Sequence, residues 1–430
     1  MKKNQLVKAC AVAFVLVGAS AAHATAGFFP LAKGSAAGGM AGAATAMTED
    51  AFGGANNPAT MVFVGNRFDV EVDLFRPVRS ASSSGTDTYG NSANTGGPVR
   101  SNNEFFMIPS FGYNRMIDAN KSVGLTFYAN GGMNTDYPGS SNTFNPGHNG
   151  GFGFGQGNLG GDLMQAVLAP TFSFKPTESQ SVGVSALIAY QEFKAYGLNA
   201  FMSPNASSSP ANVTDNGKES STGLGIRLGY LAKLNSQWSV GASYSPKITM
   251  SKFDKYKGLF AGNGSFDIPE NYTLGLAFKP IEKMTLALDY QRINYAGIPA
   301  LGNAQDNFAA GIKLGLPNGP GYGWSNVNVY KFGVQYDYSS AWTLRAGYSK
   351  NNDPVSPANA VLNIIAPAVI TDHATLGATY KMDKANEFHF SFMHAFSNSV
   401  TGPGMGGDTS RTVVLKMKED QLGFGYSYKF

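Results

Sequence analysis

The amino-acid sequence predicts an all-β fold, a 14-stranded antiparallel transmembrane β-barrel with an N-terminal plug (hatch) inside its lumen. Three observations predict it. Apolar and polar residues alternate with a period of two in fourteen segments, the connections between segments alternate between long and short, and the chain ends in an aromatic strand at Phe430. A closed barrel leaves no unpaired sheet edge, which a lipid environment would not tolerate.

The chain begins with an export signal, which we place at residues 1–24. Lys2, Lys3 and Lys8 precede the apolar run Ala9 to Ala22, and Ala22-His23-Ala24 supplies a cleavage site of small residues. The only cysteine lies inside this signal. The mature chain is therefore expected to have no thiol for a disulfide, a metal site or a nucleophile.

The composition narrows the functional class. Charged residues make up 14% of the chain and aromatic residues 12%, whereas soluble domains usually carry roughly 25% charged residues. The 32 basic and 28 acidic side chains nearly balance once the three lysines of the signal are removed, so we expect no nucleic-acid partner. No apolar run beyond the signal approaches the roughly 18 residues of a membrane helix.

The segment Gly34 to Met61 is rich in small residues and ends in Asn57-Pro58-Ala59. It has too few large apolar side chains to build a core of its own and shows no strand alternation. We therefore assign residues 25–65 to a plug and residues 66–430 to the barrel. The plug is tethered directly before the first strand, where it can fill the lumen.

The fourteen segments have about the length that outer-membrane strands need. In the first, Phe68, Val70, Val72 and Leu74 form an apolar face opposite a charged one. The segments lie near Arg67 to Leu74, Phe106 to Met116, Ser122 to Asn130, Leu163 to Lys175, Ser181 to Phe193, Thr222 to Leu234, Gln237 to Met250, Asn271 to Pro280, Lys283 to Tyr295, Val327 to Tyr338, Ala341 to Lys350, Thr371 to Met382, Asn386 to Phe396 and Gln421 to Phe430.

Short links alternate strictly with long segments rich in Gly, Ser, Asn and Pro. Asn235-Ser236 and Ser339-Ser340 are short, whereas Val78 to Glu104 and Ala296 to Asn326 are long. Tight periplasmic turns and long outer loops give this alternation in a barrel. A soluble sandwich has no reason to place every long loop at one end.

These residues resemble the FadL-type outer-membrane transporters of long-chain fatty acids and other hydrophobic compounds, including aromatic-hydrocarbon channels. The resemblance covers nearly all of the mature chain. It rests on the following motifs in this order: Glu49-Asp50-Ala51, Asn57-Pro58-Ala59, Ile268-Pro269, Tyr272-Thr273-Leu274-Gly275, Leu286 to Tyr295, Leu344-Arg345-Ala346-Gly347-Tyr348 and Asn351-Asn352-Asp353-Pro354-Val355.

The resemblance implies a monomeric channel in the outer membrane of a Gram-negative bacterium. Ligand would bind in an outer-loop groove, then in the lumen, and leave sideways through a gap made by a kinked third strand. The kink candidates are Asn130, Gly131 and Gly132, because glycine tolerates bulges and weakens pairing. Asn57, Pro58 and Ala59 match the motif of the family that lies near that gap, so we expect them against the third strand.

The apolar parity of the strands places Arg227, Lys331 and Arg345 on the lumen side. Such cations could hold a fatty-acid carboxylate, or they could pair with inward acids or with the plug. Two outer loops, Gly151 to Gly161 and Val355 to Ile370, are unusually apolar and could capture ligand or simply cap the barrel. The sequence does not separate fatty acids from aromatic hydrocarbons.

Two other functions stay open. A general porin would need a charged constriction and no plug, and an outer-membrane lipid hydrolase would need an outward serine beside a histidine. Ser391 faces the lumen by parity, and His389 and His394 fall on opposite strand faces, where they cannot share a metal. Gly155-x-Gly157-x-x-Gly160 has no strand before it or helix after it. We therefore expect no enzyme activity, no cofactor and no metal.

Overall fold

The structure is a computed structural model that describes residues 25–86, 92–142 and 151–430; the predicted export signal, residues 1–24, lies outside the described residues. Within them, fourteen long antiparallel strands each pair with their neighbours in sequence, and the last pairs back onto the first. This closure confirms the predicted barrel. No helix in the described ranges is long and apolar enough to cross a membrane.

The strands are numbered here in chain order. They are β1 (Arg67–Gly85), β2 (Phe106–Asp118), β3 (Lys121–Asn134), β4 (Gly160–Thr177), β5 (Gln180–Tyr196), β6 (Glu219–Lys233), β7 (Trp238–Ser245), β8 (Asn271–Ile281), β9 (Met284–Ile293), β10 (Val327–Asp337), β11 (Trp342–Asn351), β12 (Asp372–Lys381), β13 (Asn386–Pro403) and β14 (Arg411–Lys429). A two-residue strand, Val99–Arg100, pairs with the C-terminal half of β1. The end of the barrel that carries the long connections is called the upper end.

All helices in the described residues are short. The α-helical turns are Ser35–Gly38, Ala261–Gly264, Pro299–Gly302 and Asp306–Ala309. The 3-10 turns are Pro58–Phe63, Gly139–Ser141, Asn199–Phe201, Pro210–Asn212, Asp254–Tyr256, Tyr295–Gly297, Pro357–Asn359, Leu362–Ile364 and Met405–Gly407. Apart from the first turn of each type, they lie in the long connections.

The apolar parity of the strands faces outward, as predicted. Leu74 on β1 lies opposite Leu422 on β14, and both side chains are exposed on the barrel exterior. Aromatic pairs mark both ends of this band. Trp238 stacks on Phe278 near the short turns, with ring centroids 4.1 Å apart. Such girdles are typical of strands that meet both membrane interfaces.

Several strand boundaries differ from the sequence prediction: β13 runs to Pro403 instead of Phe396, β14 begins at Arg411 instead of Gln421, and β1 and β7 also differ. β1 runs on to Gly85 because its Ser-rich end pairs with the first half of β14, although small polar residues carry no alternating signal. β7 ends at Ser245, five residues early, since Pro246 cannot donate to the ladder. Ile248 and Met250 then form only isolated bridges.

The long connections pack together over one end of the barrel. Their aromatic and aliphatic side chains form the largest buried apolar cluster, which includes Phe154, Phe260, Trp324 and Ile364. Burial of this many apolar groups stabilises the loops against each other. The outer end is therefore a structured cap rather than a set of free loops.

Candidate functional site

Inward-facing carboxylates of the barrel anchor residues 25–66, the segment before β1. Glu71 on β1 accepts a hydrogen bond from the Ser35 amide at 2.5 Å. Asp289 on β9 accepts from both the amide (3.0 Å) and the hydroxyl (2.6 Å) of Thr45. These strands lie on different sides of the barrel, so the segment extends across its interior. Carboxylates bonded to backbone amides explain the inward acids without any catalytic role.

Close backbone approach explains why this segment consists of small residues. A Cβ on Gly39 would lie 2.8 Å from the Cα of Gly377 on β12, and a Cβ on Gly377 would lie 2.7 Å from the Cα of Gly39. Real side-chain carbons do not come this close to backbone. Any larger residue at either position would push the segment away from the barrel wall.

Asn57 is the residue that fixes the turn Asn57-Pro58-Ala59 in place. Its side chain accepts from the Ala59 amide at 3.1 Å and so caps the 3-10 turn that begins at Pro58. It also donates to the carbonyls of Thr45 at 2.8 Å and Tyr230 at 3.0 Å. Asn57 is fully buried, and its side chain joins two parts of the segment to β6.

The hydrogen bonds of the Asn57-Pro58-Ala59 turn go to strands other than the third. The Ala59 carbonyl accepts hydrogen bonds from Ser181 on β5 at 2.7 Å and from Ser173 on β4 at 3.3 Å. The segment also reaches β3: the Ala51 carbonyl accepts from the Thr126 hydroxyl at 3.1 Å, and a Cβ on Gly124 would lie 2.3 Å from the methyl of Met61, in the 3-10 turn that begins at Pro58. That Asn57, Pro58 and Ala59 act on the third strand stays a prediction.

β3 separates from β2 halfway along its length. The pairing of the two strands ends at Phe111 and Phe127, although β3 remains paired with β4 as far as Asn134. Residues of β3 from Tyr128 to Asn134 are all buried, whereas Val123 on the same strand is exposed. The upper part of β3 is thus covered on both faces, and the wall lacks β2–β3 pairing there. We call this stretch the β2–β3 gap.

The predicted kink residues lie inside this stretch. Asn130 has no residue opposite it on β4, because the register shifts between Ala129 and Gly131; its side chain donates to that of Gln165 at 3.1 Å. A Cβ on Gly131 would lie 2.3 Å from the carbonyl oxygen of Phe28. The Gly132 amide donates to the same oxygen at 3.3 Å. A bulge therefore occurs where the segment before β1 touches β3.

The inner side of the gap is apolar, unlike most inward positions of the barrel. One buried cluster collects side chains from the strands around the gap and from the N-terminal segment. Its members include Leu31, Phe75, Phe106, Ile108, Ala129, Met164 and Met393. We call it the lumen cluster. It provides an apolar surface between the barrel interior and the unpaired stretch of the wall.

Two of the predicted lumen cations share a cavity with a third cation, Lys33, which the sequence analysis did not identify. Arg227, Lys331 and Lys33 line about 440 Å³ of empty space. The Lys331 ammonium donates to the Leu31 carbonyl at 3.0 Å, and Arg227 donates to the Ala55 carbonyl. Burial, then Arg227 and Lys331, hold the pKa of Lys33 well below its usual value. We call this cavity the cationic cavity; it is suited to a carboxylate.

Arg345, the third predicted cation, is already paired. Its guanidinium lies 3.2 Å from Glu49 of the N-terminal segment and donates to Gln335 and Thr379, each at 2.7 Å. The alternative reading, in which an inward charge pairs with the plug, holds for this residue. Arg345 therefore anchors the segment, as Glu71 does.

An outer cavity of about 450 Å³ lies among the long connections. Both loops that the sequence singled out contribute to it, Phe154 from the first and Leu362 and Ile365 from the second. Phe260 and Leu198 from other connections complete its wall. The loops thus pack on one another and still leave an apolar cavity between them.

Ser391 and His389, which the sequence analysis considered for a hydrolase, have separate contacts in the structure. Ser391 faces the interior, where a Cβ on Gly38 would lie 3.1 Å from its hydroxyl oxygen. His389 bonds instead to Thr379 at 2.9 Å and Ser427 at 2.7 Å. Among the described residues, no three His, Cys, Asp or Glu side chains are placed to hold a metal ion.

Two residues of the site, Phe75 and Lys33, stand out in the sequence, although the period-two alternation of the strands did not identify them. Phe75 follows the inward acids Asp69, Glu71 and Asp73 in the same parity, so an apolar side chain there marked a change in the lumen. Lys33 is the only charged residue in a long uncharged stretch before Glu49. Neither signal identifies the neighbours that these side chains meet in the fold.

A closed barrel with a lipid-facing apolar band and aromatic girdles defines an outer-membrane β-barrel protein. A family model described as "Outer membrane protein transport protein (OMPP1/FadL/TodX)" matches residues 15–430. The chain belongs to that family. No curated protein sequence matches it.

Solved structures share the fold at low sequence identity. The toluene transporter TodX of P. putida is similar with a TM-score of 0.66 and 19% identity over 93% of this chain and 99% of that chain. A FadL homologue of Pseudomonas aeruginosa gives 0.70 and 16% over 94% and 100%. The toluene transporter TbuX of Ralstonia pickettii gives 0.61 and 18% over 93% and 99%.

Proposed function

We propose that the protein is a channel for the passive uptake of hydrophobic compounds across the outer membrane. The β2–β3 gap is the main support for this proposal. Its inner side is lined by the apolar lumen cluster, whereas most other inward positions of the strands are polar. A hydrophobic molecule would be captured in the outer cavity, pass to the lumen cluster, and leave sideways into the bilayer. This route spares the molecule from crossing water on the periplasmic side.

Residues 25–65 would act as the hatch of this channel and residues 66–430 as its barrel. Hydrogen bonds, close backbone contacts and buried apolar side chains such as Phe28, Met40 and Met61 hold the segment. Such an attachment can release and re-form without unfolding the barrel. Asn57, Pro58 and Ala59 would couple the segment to β4, β5 and β6, while Phe28 would connect it to the bulge in β3.

The cationic cavity favours a long-chain fatty acid over an uncharged aromatic hydrocarbon. A carboxylate there would meet Lys33, Arg227 and Lys331 in a setting of low dielectric, where charge-assisted hydrogen bonds are strong. The solved relatives named as toluene transporters keep the hydrocarbon alternative open. Competition binding of a labelled fatty acid and toluene to the purified protein distinguishes the two.

Uptake is the test of the proposed function. A strain without the protein should take up a labelled fatty acid more slowly than the same strain with the gene restored. Equal rates across a broad panel of hydrophobic compounds would reject the proposal. Large steady single-channel currents would favour a general porin instead, because a barrel filled by residues 25–65 should conduct ions poorly.

We expect the working unit to be a monomer surrounded by outer-membrane lipid, because a single barrel contains the whole route. Light scattering of the purified protein with detergent subtracted would give one chain per particle. We expect no hydrolysis of lipid. Phospholipid release that disappears in a Ser391→Ala variant would overturn that expectation.

A further inference from the structure

A buried arginine links the two sides of the β2–β3 gap. Arg79 points inward from β1 and is 3% exposed. It donates one guanidinium nitrogen to the carbonyl of Asn134, at the end of β3, and the other to the carbonyl of Asn103, just before β2. The side chains of Asn103 and Asn134 are also hydrogen-bonded to each other at 3.1 Å.

These contacts lie at the upper edge of the gap. The pairing of Phe111 with Phe127 closes its lower end. Above the gap, the Asn102 amide donates to the carbonyl of Asp136 at 2.8 Å. The unpaired stretch is therefore a bounded window in the wall, and Arg79 holds its upper corner from the inside.

An acidic side chain beside Arg79 has no hydrogen-bond partner in the part of the chain that the structure describes. Glu419 on β14 lies opposite Pro77, while Arg79 lies opposite Met417, so Glu419 and Arg79 are inward-facing diagonal neighbours. Long side chains in diagonal positions can reach each other. Glu419 is fully buried, and within residues 25–86, 92–142 and 151–430 neither of its carboxylate oxygens nor the Nε of Arg79 has a hydrogen-bond partner.

The observed arrangement thus satisfies the carbonyls at the window but leaves a buried carboxylate unpaired. Burying an unpaired carboxylate is unfavourable, whereas a buried guanidinium and carboxylate can form a strong two-pronged pair. Glu419 is therefore an alternative partner for Arg79, and a two-pronged pair with its carboxylate would take at least one terminal guanidinium nitrogen away from the carbonyls at the window. A side chain with two alternative partners can occupy two positions, and we call Arg79 a two-position element in this sense.

An apolar cavity connects this element to the route of the ligand. About 280 Å³ of empty space lies between β1, the end of β3 and residues 366–368, with Phe75, Arg79 and Met133 in its wall. Phe75 also belongs to the lumen cluster. A molecule that leaves the lumen cluster towards the window would pass Arg79.

We propose that Arg79 is the latch of the window and that Glu419 is its release partner. In the latched position Arg79 holds Asn103 and Asn134 together. In the released position it pairs with Glu419, and the upper end of β3 is free to move away from the residues before β2. This inference rests on the proposed lateral release of ligand, and it assigns the residues that control that step.

The test measures the window directly. Asn103→Cys and Asn134→Cys carry spin labels, and pulsed electron resonance gives the distribution of distances between them in the otherwise complete protein. The expected distribution has a short and a long component. Glu419→Gln removes the release partner, so the long component should disappear and uptake of a labelled fatty acid should fall about tenfold.

Asp420→Asn is the matched control, because it removes a carboxylate from the adjacent, outward position of β14, where Asp420 pairs with His394 at 2.7 Å. It should leave both distances and uptake unchanged. Arg79→Gln should enrich the long component, which separates loss of the latch from loss of its partner. Retention of the heat-modifiable band on a gel shows that each variant has folded.

Identical distance distributions in the wild type and Glu419→Gln would overturn the latch. A changed distribution with unchanged uptake would show that Arg79 moves but does not control passage, which also refutes the proposal. If the wild type takes up no ligand and still shows two distances that depend on Glu419, the channel assignment fails while the two-position arginine stands.

Discussion

Replacing Asn57 by Ala should loosen the hatch without unfolding the barrel. The side chain makes three hydrogen bonds, to the Ala59 amide and to the carbonyls of Thr45 and Tyr230, at 2.8–3.1 Å. At about 1 kcal/mol for each, their loss should destabilise the attached state by about 3 kcal/mol. Since about 1.4 kcal/mol is a factor of ten, the detached population should rise roughly 100-fold.

Hydrogen exchange followed by mass spectrometry measures this effect. Peptides from residues 43–64 should exchange roughly 100-fold faster in Asn57→Ala, whereas strand peptides should be unchanged. Asn56→Ala is the matched control, since the side chain of Asn56 makes one hydrogen bond, to the Lys33 carbonyl at 2.8 Å. It should speed exchange only about fivefold. Equal rates in the two variants would refute the reasoning, and loss of the folded barrel would show that Asn57 is structural.

Three further predictions concern the two cavities and the hatch. Lys33→Met should weaken binding of a labelled fatty acid about tenfold in a competition assay, but not binding of toluene. Burial, then Asp69, raises the pKa of Asp50 to about 7, so the charged form of Asp50 is disfavoured in the attached hatch and attachment should weaken as pH rises through 7. Hydrogen exchange of the hatch, corrected for its intrinsic rate, should therefore be faster at pH 8 than at pH 5. Asp50→Asn should remove the difference. Phe260→Ala should lower ligand capture by the outer cavity in equilibrium binding, and because Phe260 packs on Phe193, Phe253 and Phe266 it should also destabilise the packed loops.

The barrel was predictable because strand parity is local information. Phe68, Val70 and Leu74 alternate with charged residues whether or not the partner strand is known. Lipid outside and polar groups inside impose this pattern on nearly every strand. The alternation of apolar and polar residues is lost at Ser80 to Gly85, where β1 extends beyond the apolar band and pairs with the first half of β14.

The site was predictable in part only, because it depends on long-range register. The glycines at 131 and 132 predicted an irregular β3, but no local pattern in the sequence shows that pairing with β2 stops at Phe111. Arg227, Lys331 and Arg345 were visible as inward cations by strand parity, but parity does not show that the N-terminal segment brings Glu49 beside Arg345. Lys33 lies on that segment and not on a strand, so parity could not identify it.

The direct test of the central claim is uptake through the window. Asn103→Cys and Asn134→Cys joined by a short thiol cross-linker should close it, and uptake of a labelled fatty acid should fall to the level of a strain that lacks the protein. Reduction of a cleavable linker should restore the rate. Uptake that continues at the wild-type rate with the window cross-linked would contradict lateral release through the β2–β3 gap.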